Sequence, residues 1–182
     1  MTGPAVREVT TDALSRAELG ALRGLFDAAW ADDPEAFTDE DWEHAVGGLH
    51  FVVEDGGSIV AHASVVEREL HVDGRPVATG YVEAVATLPA HQRRGHGSAV
   101  MRAVGAHIDR RLRLGALGTG LAAFYERLGW VVWRGPTFVR TDGGLVRTAE
   151  EDGQVLVRLT PATPDIDLSA PISCEWRPGD VW

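Results

Sequence analysis

The chain has 182 residues, 45% hydrophobic and 24% charged, with 27 acids against 17 bases and a formal net charge of −10. That length suits a single domain, able to bury roughly 70% of the surface its unfolded form would expose. The acidic excess argues against a nucleic-acid partner, which needs a basic face; the lone cysteine, Cys174, excludes an intrachain disulfide and a multi-cysteine zinc site; and no signal-peptide core or membrane-length apolar run is found, so a cytoplasmic protein with no membrane partner is expected.

Taken in order, Val6 to Val9 reads as a short strand, and Ser15-Arg16-Ala17-Glu18 is a capping box opening a helix whose buried face is Leu19, Leu22, Phe26 and Trp30. Asp32-Asp33-Pro34-Glu35 breaks that helix. Thr38 and Asp41 start a second one, through Trp42 and His44, which Gly47-Gly48 ends. Leu49 to Glu54 and Ser58 to Glu69 read as strands joined by a tight turn at Asp55-Gly56-Gly57, and Asp73-Gly74 reverses the chain into a strand from about Val77 to Leu88. Val100, Met101, Val104, Ile108 and Leu112 recur at helical spacing, so a long helix with one buried face follows. A short strand near Ala116 to Leu117, a small helix around Ala122 to Leu128, and strands at Trp130 to Trp133 and Val155 to Leu159 complete the pattern. From about 135 to 182 the chain is otherwise expected to be an irregular, proline-bearing tail whose aromatic and acidic end packs back on the body. The order points to one α/β domain over 1–182, with a mixed, partly antiparallel central sheet flanked by helices.

Charge is segregated along the chain. Eight acids and no base lie from Asp27 to Glu43, whereas Arg93 to Arg113 holds six of the 17 arginines. This suits separate sites for a cation and an anion. The histidines at 44, 50, 62, 71, 91, 96 and 107 show neither HExxH nor H-x3-H spacing, so no metal is expected.

The segment Tyr81 to Ser98, YVEAVATLPAHQRRGHGS, runs from an apolar strand through a basic, glycine-spaced turn into the long helix. Gly95 and Gly97 allow positive φ and close backbone approach. Helix N-termini attract anions, phosphate above all. The turn lacks the GK[ST] ending of a P-loop and is not GxGxxG. Standing alone, such a turn is also read as a plain helix start.

Gln92-Arg93-Arg94-Gly95-His96-Gly97 directly after a strand resembles the acetyl-CoA loop of the GCN5-related N-acetyltransferases (GNAT). Ala122-Ala123-Phe124-Tyr125-Glu126-Arg127-Leu128-Gly129-Trp130 resembles that superfamily's second signature. Asp41-Trp42-Glu43-His44, Gly47-Gly48-Leu49-His50, Tyr81-Val82-Glu83, Gly135-Pro136-Thr137 and the ending Cys174-Glu175-Trp176-Arg177-Pro178-Gly179-Asp180-Val181-Trp182 are similar to the aminoglycoside 2′-N-acetyltransferases. The likeness runs from about the second helix to the last residue.

The resemblance implies acetyl-CoA as co-substrate, a cationic aminoglycoside as acceptor and a homodimer. It gives Glu83 the role of general base, Tyr125 that of proton donor to the coenzyme A thiolate, and the carboxylate of Trp182 a contact with the substrate amine. Backbone groups of Val85 and Thr87 would hold the pantetheine arm. Gln92, Arg93, Arg94, Gly95, His96, Gly97 and Ser98 would take the pyrophosphate. Substrate carboxylates are matched at Asp41 and, in the same neighbourhoods, at Asp33, Glu35, Glu151, Asp152 and Asp180, with Glu83 and Trp182 also touching substrate. Relatives have Asp-Phe-Thr where this chain has Ala36-Phe37-Thr38, so that acidic contact is either lost or supplied by Glu35 or Asp33. Glu83 between apolar neighbours is expected to have a raised pKa.

Each residue also has a plainer reading: Glu83 on a solvated strand face, Tyr125 as a core aromatic, Trp182 as a frayed end, the carboxylates as solvated charge. Two other functions share these features: acetylation of another amine, such as a cell-wall amino sugar or a polyamine, and a binding module without catalysis.

Overall fold

A computed structural model describes residues 4–32 and 37–182. Among these the elements are β1 (Val6–Thr10), α1 (Arg16–Ala29), α2 (Asp39–Ala45), β2 (Leu49–Asp55), β3 (Ser58–Val72), β4 (Arg75–Thr87), α3 (His96–Arg111), β5 (Leu114–Gly118), α4 (Ala122–Glu126), β6 (Val131–Val132), β7 (Thr137–Thr141), β8 (Gly144–Arg147), β9 (Val155–Leu159) and β10 (Ile172–Glu175). The fold is mixed α/β. Two compact units interleave in sequence, Met1–Val66 with Val82–Val104, and Glu67–Tyr81 with Gly105–Trp182.

In the first unit β2 pairs antiparallel with both β1 and β3. The β2–β3 turn holds Gly56 at φ +60° and Gly57 at φ +80°, a pair of left-handed positions that suits the twist of a hairpin. The expected capping box is present: Glu18 N donates to Ser15 Oγ at 3.2 Å and Ser15 N to the Glu18 carboxylate at 2.8 Å. Helix α1 buries Leu22, Leu25 and Phe26 against Leu14, Ala45, Val52, Ile59 and Ala86, while Leu19 and Trp30 are only partly covered. Full burial of each such side chain contributes about 1.5–3 kcal/mol. Thr38 and Asp41 form a second capping box at α2.

The strands of the second unit neighbour one another in the order β6-β9-β5-β4-β3-β10-β7-β8. β4 runs parallel to β5 and β10 parallel to β7, whereas β5–β9, β6–β9, β10–β3 and β7–β8 are antiparallel. A parallel neighbour demands a crossover connection, and α3 provides it between β4 and β5.

The segment read from sequence as an irregular tail carries three strands, β7, β8 and β10. They are four or five residues long, too short for a two-residue period to stand out; β8 pairs with its neighbour β7, while β10 joins β7 and β3 across longer stretches of chain. Two features bring the segment in. The Trp133 indole N–H donates to the Ala170 carbonyl at 3.0 Å, and a Cβ on Gly135 would stand 1.9 Å from that same oxygen, so only glycine lets the strands close.

Candidate active site

Glu83 lies half-buried in β4 of the first unit. The residue after it, Ala84, has φ +48° in mid-strand, a left-handed conformation that costs an L-residue roughly 1–3 kcal/mol and tends to gather at functional sites. A buried chain of side chains holds it. His62 Nδ1 lies 2.8 Å from the Ala84 carbonyl, His62 Nε2 lies 2.9 Å from His50 Nδ1, and His50 Nε2 lies 2.8 Å from Thr11 Oγ1. Only a donor can face a carbonyl, so His62 carries its proton on Nδ1. With neutral rings His50 then donates from Nδ1 to His62 Nε2, and His62 from Nδ1 to the Ala84 carbonyl. Burial pushes the His62 pKa down to about 3 and lowers that of His50, which keeps both rings neutral. Phe26 closes over His62 edge-on, with centroids 5.0 Å apart. The parallel register of β4 with β5 ends at Tyr81↔Ala116, so Val85 and Thr87 follow the last ladder residue.

The basic turn is mostly exposed and leads into the first turn of α3, where the Ala99 N–H donates to the Gly95 carbonyl at 2.9 Å. Left-handed conformations fall on Arg93 (φ +60°) and Gly95 (φ +85°). Gly97 lies inside the helix. The Gln92 amide is 3.4 Å from the Thr87 carbonyl, tying the turn to the end of β4.

In the second unit Tyr125 is buried in α4, edge-on to Phe124 and Trp130. Desolvation raises its pKa to about 12, against a weaker lowering by its hydrogen bond to Thr119, so the phenol is protonated at any working pH. Thr119 Oγ1 also accepts from Leu121 N at 2.9 Å, so the hydroxyl of the Gly118-Thr119-Gly120 loop is occupied locally.

The last residue is not frayed. Trp182 is 3% exposed, and its indole N–H donates to Thr148 Oγ1 at 3.1 Å. The terminal carbonyl carbon and oxygen lie 3.2 Å from where a Cβ on Gly118 would stand, so this glycine makes room for the chain end. Arg68, 7% exposed, clamps the tail: its guanidinium donates to the Glu175 carboxylate at 2.8 Å and to the Val181 carbonyl at 3.0 Å, and sits over the Tyr81 ring at 4.5 Å. Burial pushes the Cys174 thiol up to about 11, which makes it a poor nucleophile at neutral pH.

The carboxylates separate into two groups. Glu151 is half-buried, and its pKa is raised by burial and then by the like charges of Asp180 and Glu150. Asp152 has an internal task instead. Its carboxylate takes an ion pair from Arg147 and hydrogen bonds from Thr137 N and Oγ1, both at 3.1 Å, which hold its pKa down at about 2. Asp41 spends one oxygen on the Thr38 cap, at 2.8 Å from Thr38 N. Asp33 and Glu35 lie outside the described residues.

Sequence reasoning missed His50, His62 and Arg68. A polar residue amid valines and alanines was the available signal for His62, whereas Arg68, between Glu67 and Glu69, gives none.

Residues 10–133 match the acetyltransferase (GNAT) domain family. The chain is 39% identical over 177 residues to an aminoglycoside 2′-N-acetyltransferase of Mycolicibacterium fortuitum, covering 95% of this chain and 89% of that one. Among solved structures it resembles the Escherichia coli GNAT acetyltransferase YhbS in complex with CoA, at TM-score 0.66 and 13% identity over 96% of this chain and 91% of that one. It also resembles a Brucella melitensis GNAT acetyltransferase in complex with acetyl-CoA, at TM-score 0.60 and 18% identity over 90% and 94%. A probable N-acyltransferase of Enterococcus faecalis and a GCN5-related N-acetyltransferase of Kribbella flavida share the fold, and this chain covers 34% of each. Identities this low speak for the fold, and the M. fortuitum relative and the domain match carry the family. The chain belongs to the GNAT acetyltransferases, in the family of the aminoglycoside 2′-N-acetyltransferases.

Proposed function

We propose that this acetyltransferase moves the acetyl group of acetyl-CoA directly to the 2′-amine of aminoglycosides, inactivating the drug. Identity of 39% to an enzyme of that name, over nearly the whole chain, is the observation that carries the reading. Acetyl-CoA is the co-substrate. Its pyrophosphate is assigned to the turn Gln92 to Ser98 and its pantetheine arm to the backbone at Val85 and Thr87.

Glu83 removes a proton from the substrate ammonium. The freed amine attacks the thioester carbonyl, a C–N bond forms, the C–S bond breaks, Tyr125 protonates the departing thiolate, and the second proton shed by the new amide nitrogen restores the Tyr125 phenol. A pKa of about 12 makes Tyr125 a weak acid, so its transfer relies on the thiolate being equally desolvated. The inert Cys174 supports direct transfer over an acyl-enzyme.

Glu151, Asp180 and the Trp182 carboxylate supply negative charge for a polycation, with Asp41, and Asp33 or Glu35, as further contacts. Like charges held together at Glu151 favour a cationic partner, whose ammonium groups relieve the repulsion. A homodimer and a cytoplasmic location belong to the same proposal, checked by light scattering and by cell fractionation.

The test is thiol release from acetyl-CoA with tobramycin, which has a 2′-amine, beside kanamycin A, which has a hydroxyl there. Turnover with the first alone is expected, with a Michaelis constant that rises with salt. Equal turnover would move the reaction to another amine. Turnover only with a monocationic amino sugar or a polyamine would replace the drug as substrate.

A further inference from the structure

In the first unit the fold gathers three metal-ligating side chains that lie far apart in sequence: Asp55 in the β2–β3 turn, His91 in the turn after β4, and His96 in the first turn of α3. One ligand atom from each lies within 4.8 Å of the other two. His91 Nδ1 and Asp55 Oδ2 are 3.4 Å apart, too long for a good hydrogen bond but close to the roughly 3.4 Å edge of a tetrahedron with bonds of about 2.05 Å. Among the described residues, His91 Nδ1 and both ring nitrogens of His96 are shielded from solvent without a hydrogen-bond partner. Buried imidazole nitrogens normally find partners, so ring nitrogens left bare around a carboxylate suit coordination.

We propose that Asp55, His91 and His96 form a binding site for a borderline divalent cation of the zinc type. Two imidazoles and one carboxylate are a common donor set for such ions and leave a fourth position open to water. Magnesium and calcium, which prefer oxygen donors, fit poorly. Asp55 is exposed on its turn and free to move the ångström or so that closing the set requires. The acetyl transfer described above uses none of this chemistry. The metal therefore stands beside the reaction, on the lip of the cofactor loop.

The probe is Zn2+ titrated into the full chain in competition with a chromophoric chelator, with Co2+ absorption reporting coordination geometry. One ion per chain is expected, with an intense tetrahedral Co2+ spectrum. Asp55→Ala and His91→Ala should each weaken zinc at least about tenfold while leaving zinc-free acetyl transfer unchanged. His91→Gln, a milder change, should do the same. Binding that is not saturable at one equivalent, or that survives these substitutions unaltered, overturns the proposal. Because the readout is metal affinity, the outcome does not depend on which amine the enzyme acetylates.

Discussion

The proposed cofactor loop and the C-terminal tail are built in opposite ways. The loop from Gln92 to Ser98 is local: a strand ends, backbone at Arg93 and Gly95 turns left-handed, and a helix begins. The tail is held from a distance, by Arg68 reaching the Val181 carbonyl 113 residues away, Thr148 meeting the Trp182 indole and Gly118 yielding space to the chain end. A backbone-built site leaves its signature in a few consecutive residues. A site built by remote side chains leaves almost none.

The largest expected effect comes at the reacting groups. Glu83→Gln should lower kcat by about 10²–10⁴-fold, as loss of a general base does, with little change in acetyl-CoA affinity. Equal kcat in variant and parent would remove Glu83 from the mechanism. Tyr125→Phe should slow turnover while leaving the melting temperature close to that of the parent, because the ring still fills its site.

Arg68 tests the tail. Arg68→Ala leaves Glu175 and the Val181 carbonyl without their donor, and should cost about 2 kcal/mol in chemical denaturation. It should also weaken aminoglycoside binding more than acetyl-CoA binding. If both ligands lose affinity equally, the clamp serves general stability alone.

His62 probes the first unit in the same way. His62→Ala removes the support of the Ala84 carbonyl, and should lower kcat by about tenfold without moving the acetyl-CoA Michaelis constant. The neutral pair also sets a pH dependence. An unfolded histidine takes up a proton below its ordinary 6.5, whereas folded His62 resists until about 3, so the unfolded state binds more protons between those values. This contribution to stability is complete above pH 6.5 and falls as the pH drops through that window. In His62→Ala the acid-side loss of melting temperature should shrink.

The smallest effect is at Glu151. Its carboxyl pKa is raised in the fold, so at neutral pH its charge destabilises the native state. Glu151→Gln should therefore raise the melting temperature slightly while increasing the aminoglycoside Michaelis constant about three- to tenfold.

The two architectures also explain what could be read in the sequence. Capping boxes at Ser15 and Thr38, glycine turns at 56–57 and 73–74, and the strand Val155–Leu159 depend on neighbouring residues, and all are present in the fold. Strands β7 and β10 depend on partners far along the chain and β8 on β7 alone, and all three are too short to show a period. Glu83, Tyr125 and Trp182 are proposed as site residues through family motifs. Their supports, His50, His62 and Arg68, are not, since a histidine chain or a buried arginine follows no local spacing. Asp152, matched by neighbourhood alone, proves to be bound to Arg147 and Thr137. Gly95 takes the positive φ that the sequence allows it, whereas Gly97 lies inside α3 and the other left-handed position falls on Arg93.

The measurement that bears most directly on the account is the position of the new acetyl group on tobramycin, assigned by two-dimensional NMR of the purified product. An acetamide on the 2′-nitrogen is the predicted result. An acetyl group on any other nitrogen, or an unmodified drug after acetyl-CoA has been consumed, would contradict it.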